Sequence, residues 1–230
     1  MNAIDNYSSG RSLWDEGWCR CFSGVGHSGR GLLIARLRSH GYPATKETTT
    51  TFGKSVETLL VNLDDVRRIA DTESLNSGPG SQVQQPRHSD SNTPTPCRAV
   101  FDQEAIFDGD WTQFRSATYN GDVYSGTGQV KVRGIANVVQ AVGIYRDADT
   151  ARAHFDQLLP SLTACTALHA KNYDFTVRQL DTDTLSLSSS VWKLFYRVKS
   201  SVLIYVGALG VPQTEQSAQQ ILQTITDRVT

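Results

Sequence analysis

The chain has 230 residues, of which 39% are hydrophobic and 20% are charged, and its formal net charge at pH 7 is -1. This near-neutral balance argues against nucleic acid as a partner, because a nucleic-acid-binding domain usually presents a strongly basic face. The longest apolar run, from Val202 to Val211, spans about half of the roughly 20 residues that cross a bilayer, so no transmembrane span is predicted.

Residues 1–51 contain no sustained hydrophobic periodicity, and they end in a run of threonines, Thr48 to Thr51, that is typical of a linker. The basic start, apolar stretch and small-residue cleavage site of a signal peptide are not visible in the sequence as given. We therefore predict that residues 1–51 are disordered, or that they are a mis-assigned segment whose start codon lies too far upstream.

The same segment contains the pattern G-x-G-x-x-G, at Gly24, Gly26 and Gly29, which is typical of a dinucleotide-binding loop. Such a loop belongs to a βαβ unit that carries an acidic residue about 20 positions further on. Glu47 stands near that distance, but the residues before the loop make a poor strand and no buried parallel strand follows it. The favoured interpretation is a glycine-rich tail, and a nucleotide-binding enzyme is the least favoured function.

Residues 52–230 are predicted to form one folded domain. Apolar residues recur at helical spacing from Ser55 to Ala70, in a pattern that predicts a helix bent near Asn62. Residues 76–96 are polar and hold four of the seven prolines in the chain, so they are predicted to form a mobile loop rich in proline and serine.

A short helix is predicted from Arg98 to Phe107, followed by a strand that starts near Trp111. The dipeptide Asn120-Gly121 is a strong hairpin signal, so the strand is expected to turn there. Residues 129–147 are rich in β-branched residues and are predicted to form a further strand.

Apolar residues return to helical spacing between Asp147 and Cys165, where Asp147 or Asp149 is suited to cap the helix and Pro160 is expected to kink it. Three strands are predicted next, at residues 174–180, 191–198 and 202–209, and the last two are close enough to form an antiparallel hairpin. A final amphipathic helix covers residues 214–229. This order predicts an α+β fold with a twisted antiparallel sheet of about five strands flanked by helices.

No motif in the chain points to catalysis, to a metal site or to a cofactor. Cys19, Cys21, His27 and His40 lack the spacing of a zinc site, and no histidine stands in a pattern with a nucleophile. The chain is therefore predicted not to be an enzyme. Polar and aromatic residues on predicted strands are the candidates for a ligand cleft, and the alternative for each tyrosine is an ordinary place at the edge of the core; these candidates are Tyr119, Gln140, Tyr145, Tyr196, Arg197 and Tyr205.

From Leu59 to Val229 the chain resembles the PknH-like extracellular domain, which forms the sensor portion of a mycobacterial serine/threonine kinase and occurs in actinobacterial envelope lipoproteins. The resemblance rests on LLVNLDDVRRIADTESL, on the proline-rich approach to Cys97, on VVQAVGIYRDADTARAHFDQLLPSLTAC and on VLIYVGALG. It implies a soluble domain outside the cytoplasmic membrane, with a cleft that receives a ligand. It also implies that Cys97 and Cys165 form a disulfide.

The leading functional hypothesis is therefore a non-catalytic extracytoplasmic sensor-type domain that binds a small-molecule or envelope ligand. We expect it to stand alone, without a kinase domain, in the cell envelope as a lipoprotein-like protein or as a secreted one. The alternative is a structural or protein-interaction component of the envelope, which would bind a protein partner through an exposed face or edge of the sheet.

Overall fold

The computed structural model describes residues 55–89, 92–126 and 131–230; the glycine pattern and the rest of residues 1–51 lie outside them. Within these ranges, two short 3-10 helices, Val56–Thr58 and Thr95–Cys97, accompany six α-helices and seven strands. The helices are α1 Leu63–Ala70, α2 Arg98–Phe101, α3 Gln103–Phe107, α4 Ala148–Asp156, α5 Leu158–Ala167 and α6 Thr214–Arg228. The strands are β1 Gln82–Val83, β2 Trp111–Ser125, β3 Val132–Tyr145, β4 Thr176–Asp181, β5 Thr184–Ser188, β6 Trp192–Lys199 and β7 Val202–Leu209.

All seven strands form a single antiparallel sheet in the order β1-β2-β3-β7-β6-β5-β4. The α+β fold with an antiparallel sheet and flanking helices is confirmed, but the predicted count of five strands is wrong. β1 has only two residues and lies within the polar segment 76–96, so it carries no periodic signal. β5 is five residues long and alternates leucine with serine, which is a weak strand pattern.

The hairpin turn predicted at Asn120-Gly121 is also wrong. Both residues lie within β2, where Asn120 pairs with Asn137 and Gly121 pairs with Ala136. The glycine is needed here for another reason, since a Cβ atom at position 121 would lie 2.7 Å from the backbone of Ser74. A close approach between two segments of chain, which is a tertiary property, explains this glycine.

The helix starts follow the local sequence. The predicted first helix is interrupted at Asn62, whose side chain accepts a hydrogen bond from the Asp65 amide at 2.9 Å and so caps α1. Asp147 caps α4 in the same way, accepting from the Thr150 amide at 2.7 Å. The predicted kink appears as a break at Gln157 between α4 and α5, three residues before Pro160, which has no amide hydrogen to donate to the preceding turn.

Apolar side chains cover both faces of the sheet and form two cores. Helices α1 and α6 pack on one face, where Ile221, Leu222 and Ile225 are buried against the central strands. Helices α2 to α5 cover the other face. Because side chains alternate along a strand, β6 places Trp192 and Tyr196 in the second core, as the period of two predicted.

The predicted disulfide between Cys97 and Cys165 is confirmed, with Cα atoms 4.7 Å apart. It links the short 3-10 helix before α2 to α5, and both cysteines are fully buried in the second core. Among the described helices, none is both long and apolar enough to cross a bilayer.

Candidate functional site

A concave surface lies beside α6, between this helix and the outer strands β4 and β5, while α6 itself packs on β6 and β7. A groove of about 480 Å³ runs between the helix and these strands. Glutamine side chains line its helix wall, and its floor and outer wall come from the sheet; the lining residues are Leu180, Thr184, Phe195, Arg197, Gln216, Gln219, Gln220, Leu222 and Gln223.

The glutamines face the groove because of their spacing along α6. Gln216, Gln219, Gln220 and Gln223 recur at intervals of three and four residues, which places them along one side of a helix. The buried apolar stripe of α6 lies next to them and fixes the rotation of the helix on the sheet. The helix wall of the α6 groove is therefore a row of primary amides.

Arg197 is the charged residue at the centre of the α6 groove, and its side chain is 22% exposed. Its Nε donates a hydrogen bond to Thr184 Oγ1 at 2.9 Å, and one Nη donates to Gln223 Oε1 at 3.2 Å. The second Nη lies 3.9 Å from a carboxylate oxygen of Asp181. The contacts with Thr184 and Gln223 hold the guanidinium in place between β5 and α6.

Three of the four glutamines have amides that are available to a ligand. Gln216, Gln219 and Gln220 are exposed, and within the described ranges their side chains make no hydrogen bond to the protein. Each amide can donate two hydrogen bonds and accept two. The α6 groove is thus suited to bind a ligand that carries hydroxyl, carbonyl or amide groups.

Tyr119 and Gln140, two of the predicted cleft residues, are buried on the α1 and α6 side of the sheet. Gln140 Nε2 donates to the Val61 carbonyl at 2.6 Å, and the Val61 amide donates back to Gln140 Oε1 at 2.8 Å. The Tyr119 hydroxyl donates to the same carbonyl at 3.3 Å. Burial raises the pKa of Tyr119, although its hydrogen bond with Gln140 opposes the shift. Both residues fasten the chain before α1 to the sheet.

Tyr145, Tyr196 and Tyr205 are buried on the opposite face. The Tyr145 hydroxyl donates to the Phe107 carbonyl at 2.7 Å, and that of Tyr196 donates to the Ala99 carbonyl at 2.8 Å. The rings of Tyr196 and Tyr205 lie 5.4 Å apart. Desolvation by burial raises the pKa of all three hydroxyls, which therefore stay protonated and act as hydrogen-bond donors.

Of the six predicted positions, the structure brings only Arg197 into the α6 groove. The other five are divided between the two faces of the sheet, with their polar atoms bonded to backbone groups. Sequence reasoning missed the glutamines of α6. Their signal was the stretch QTEQSAQQILQ, in which amides occupy one side of an otherwise ordinary amphipathic helix.

A second depression, of about 490 Å³, lies between residues 172–176 and 188–191, near one end of β4 and β5. Its walls are the ends of strands and the connections between them, and Asp174 is the one charged residue that lines it. The α6 groove is the stronger candidate for a ligand site, because it combines a fixed guanidinium with several amides on rigid elements.

The hairpin of β2 and β3 extends beyond the rest of the sheet, because β7 ends at Leu209 opposite Asn137. Residues 121–125 and 132–136, called here the β2–β3 arm, pair with each other. Tyr124 and Ile135 are 63% and 66% exposed and lie on the same face of the arm. The arm therefore exposes two large apolar side chains on one face, beside the ion pair of Asp122 and Arg133.

The family model of the PknH-like extracellular domain matches residues 53–228 of the chain. Among solved structures, the crystal structure of the extracellular domain of PknH from Mycobacterium tuberculosis is similar, with 20% sequence identity and a TM-score of 0.53. The similarity covers 75% of this chain and 93% of that one, and it shows a common fold. None of the curated proteins matches the chain.

Proposed function

Because the chain belongs to the family of PknH-like extracellular domains, we propose that it is a non-catalytic sensor domain that binds a ligand outside the cytoplasmic membrane. Membership of the family supports an extracytoplasmic domain of the sensor type. We further propose that the domain binds a ligand and stays in the cell envelope.

The α6 groove is the proposed ligand site. The observation that supports it is the row of three unpartnered amides, Gln216, Gln219 and Gln220, beside a guanidinium that is already held in place. Among the residues predicted for the cleft, Arg197 would contact the ligand directly. The buried tyrosines and Gln140 would act by keeping the sheet and the first helix in position.

A thermal-shift screen of polar envelope components against the full chain tests this proposal. A ligand at about 100 times its dissociation constant stabilises the folded state by about 2.7 kcal/mol, which is a readily measured shift in Tm. Any active compound is then tested on a variant with Gln216, Gln219 and Gln220 all changed to Ala. The increase in Tm that the compound causes should be lost in that triple variant. The increase should be kept in the control variant Gln113→Ala, which alters an exposed glutamine on β2. If the compounds raise the Tm of the triple variant as much as that of the unaltered chain, the α6 groove is not the ligand site.

A second candidate function is supported by the β2–β3 arm. Its exposed Tyr124 and Ile135, which share one face, suit contact with a protein partner in the envelope. A doubly substituted Tyr124→Ser/Ile135→Ser chain should then lose cross-linking to envelope proteins while its groove remains intact. If the triple groove variant loses cross-linking and the arm variant keeps it, this second function is wrong.

A further inference from the structure

Three side chains with metal-binding atoms converge beside α2 and α3, on the sheet face opposite α6. His88 Nδ1 lies 3.0 Å from Asp102 Oδ2 and 3.4 Å from Glu104 Oε2. The three ligand atoms all lie within 4.8 Å of one another. These residues come from two segments of chain, so their sequence spacing matches no zinc motif and the sequence analysis predicted no metal site.

The buried member of this cluster is held in position before any ligand arrives. Asp102 separates α2 from α3 and is fully buried. Its Oδ1 accepts hydrogen bonds from the amides of Glu104 at 3.0 Å and Ala105 at 3.3 Å, so it caps α3. Its Oδ2 is thereby turned toward His88, which makes Asp102 a preorganised ligand.

The segment that carries His88 is also fastened to the same helix. The Arg87 amide donates to Gln103 Oε1 at 3.2 Å, and the Glu104 amide reaches the Arg87 carbonyl at 3.3 Å. His88 and Glu104 are both about half exposed, at 42% and 55%. An ion can therefore reach the cluster from solvent without any backbone movement.

We propose that His88, Asp102 and Glu104 bind Zn²⁺. Two ligands of a tetrahedral zinc ion are about 3.4 Å apart when each bond is about 2.1 Å long, and the two measured distances from His88 Nδ1 are close to this value. One imidazole and two carboxylates form a ligand set that suits zinc better than Mg²⁺ or Ca²⁺, which prefer oxygen alone. Three protein ligands leave the fourth position to water.

Arg98 contacts two of the three proposed ligands. Its Nε lies 3.1 Å from Asp102 Oδ2, and one Nη lies 2.8 Å from His88 Nδ1. His88 Nδ1 thus lies within hydrogen-bond distance of both the Arg98 guanidinium and the Asp102 carboxylate. The Arg98 side chain is 34% exposed and can swing into solvent when the ion enters. Zinc and Arg98 therefore compete for the same two ligands.

Calorimetric titration of ZnCl₂ into the tag-free full chain tests the site, in a Cys19→Ser/Cys21→Ser background that removes the thiols near the N-terminus. We expect one zinc ion per chain. His88→Ala and Glu104→Gln should each weaken binding by at least about tenfold, as even the loss of an outer-shell partner often does. Arg98→Gln should instead tighten binding by about tenfold, because it removes a competing charge.

The matched control is His169→Asn, which removes an exposed histidine far along the chain at a residue with φ 47° that asparagine also adopts. It should leave the affinity unchanged. Near-UV circular dichroism establishes that each variant is folded. Undiminished zinc binding in a folded His88→Ala chain would overturn the proposal. Weaker or unchanged binding in Arg98→Gln would do the same, since no competition would then exist.

Discussion

At the scale of single residues, the buried polar side chains of this domain serve mainly to satisfy backbone groups. Gln140 is fully buried in the middle of β3, yet it bonds with both the amide and the carbonyl of Val61, which no regular element pairs. A buried backbone amide without a partner is destabilising, so one glutamine allows the segment before α1 to pack against the sheet. The same residue type on α6 is exposed and free to bind a ligand.

Replacing Gln140 with leucine should destabilise the protein by about 2 to 3 kcal/mol, since the Val61 amide loses its partner while it remains buried. The carbonyl keeps its bond from Tyr119. Urea denaturation measures the change, and Gln113→Leu on the exposed surface is the control, expected to shift stability by less than about 0.5 kcal/mol. Equal effects at the two positions would contradict this role for Gln140.

At the scale of elements, helix boundaries were easier to predict than strand ends. A cap at Asp147 or Asp149 could be predicted because a helix start leaves amides unpaired, and that need is local; the structure has the cap at Asp147. The break before Pro160 also follows from one residue. In contrast, whether Asn120-Gly121 turns or continues depends on the pairing of β2 with β3 and on the approach of Ser74, which are contacts distant in sequence.

The cap of α4 should give the stability of the protein a dependence on pH. The pKa of Asp147 is lowered, chiefly by hydrogen bonds from the hydroxyl and then from the amide of Thr150, below its ordinary value of 3.8. Its contribution is therefore present above that value and is lost as the pH falls through the folded-state pKa. Asp147→Asn should lower Tm at pH 7, and the difference from the unaltered chain should shrink at an acidic pH below the folded-state pKa of Asp147.

Asp149→Asn provides the comparison for this experiment, because Asp149 is exposed in the first turn of α4 but does not accept the capping bond. It should change Tm less than Asp147→Asn at pH 7. A Tm difference for Asp147→Asn that is the same at both pH values would mean that its ionisation makes no contribution.

At the scale of the whole molecule, the alternating pattern of β6 and the apolar stripe of α6 were sufficient to predict a sheet covered by helices. The order of the strands was not predictable in this way, because periodicity shows which face is buried and not which strand lies alongside. The groove was missed for a related reason. The groove forms because α6 covers only part of the sheet, and periodicity does not show which strands a helix covers. Among the predicted residues, only Arg197 lines the groove.

The disulfide between Cys97 and Cys165 acts at this largest scale, since its partners are 68 positions apart and enclose α2, α3, β2, β3 and α4. A Cys97→Ala/Cys165→Ala chain should be less stable by about 2 to 4 kcal/mol, because its unfolded state is freer. Denaturation with guanidinium chloride measures this difference in the free energy of unfolding. Reducing agent should lower the stability of the unaltered chain toward that of the double variant and leave the double variant itself unchanged; a response of the variant to reductant would indicate another cause.

The strand order also divides the sheet into two meanders, β1 to β3 and β4 to β7, that meet only where β3 pairs with β7. The connection between them includes Lys171, which is exposed, and the disulfide lies wholly on one side of it. Limited trypsin digestion at Lys171 should therefore yield two fragments that elute together in gel filtration and separate in urea. Separation without urea would contradict this. The two halves share one row of backbone hydrogen bonds and two hydrophobic cores. They are therefore suited to fragment complementation, in which two separately expressed pieces of the chain reassemble into the folded domain.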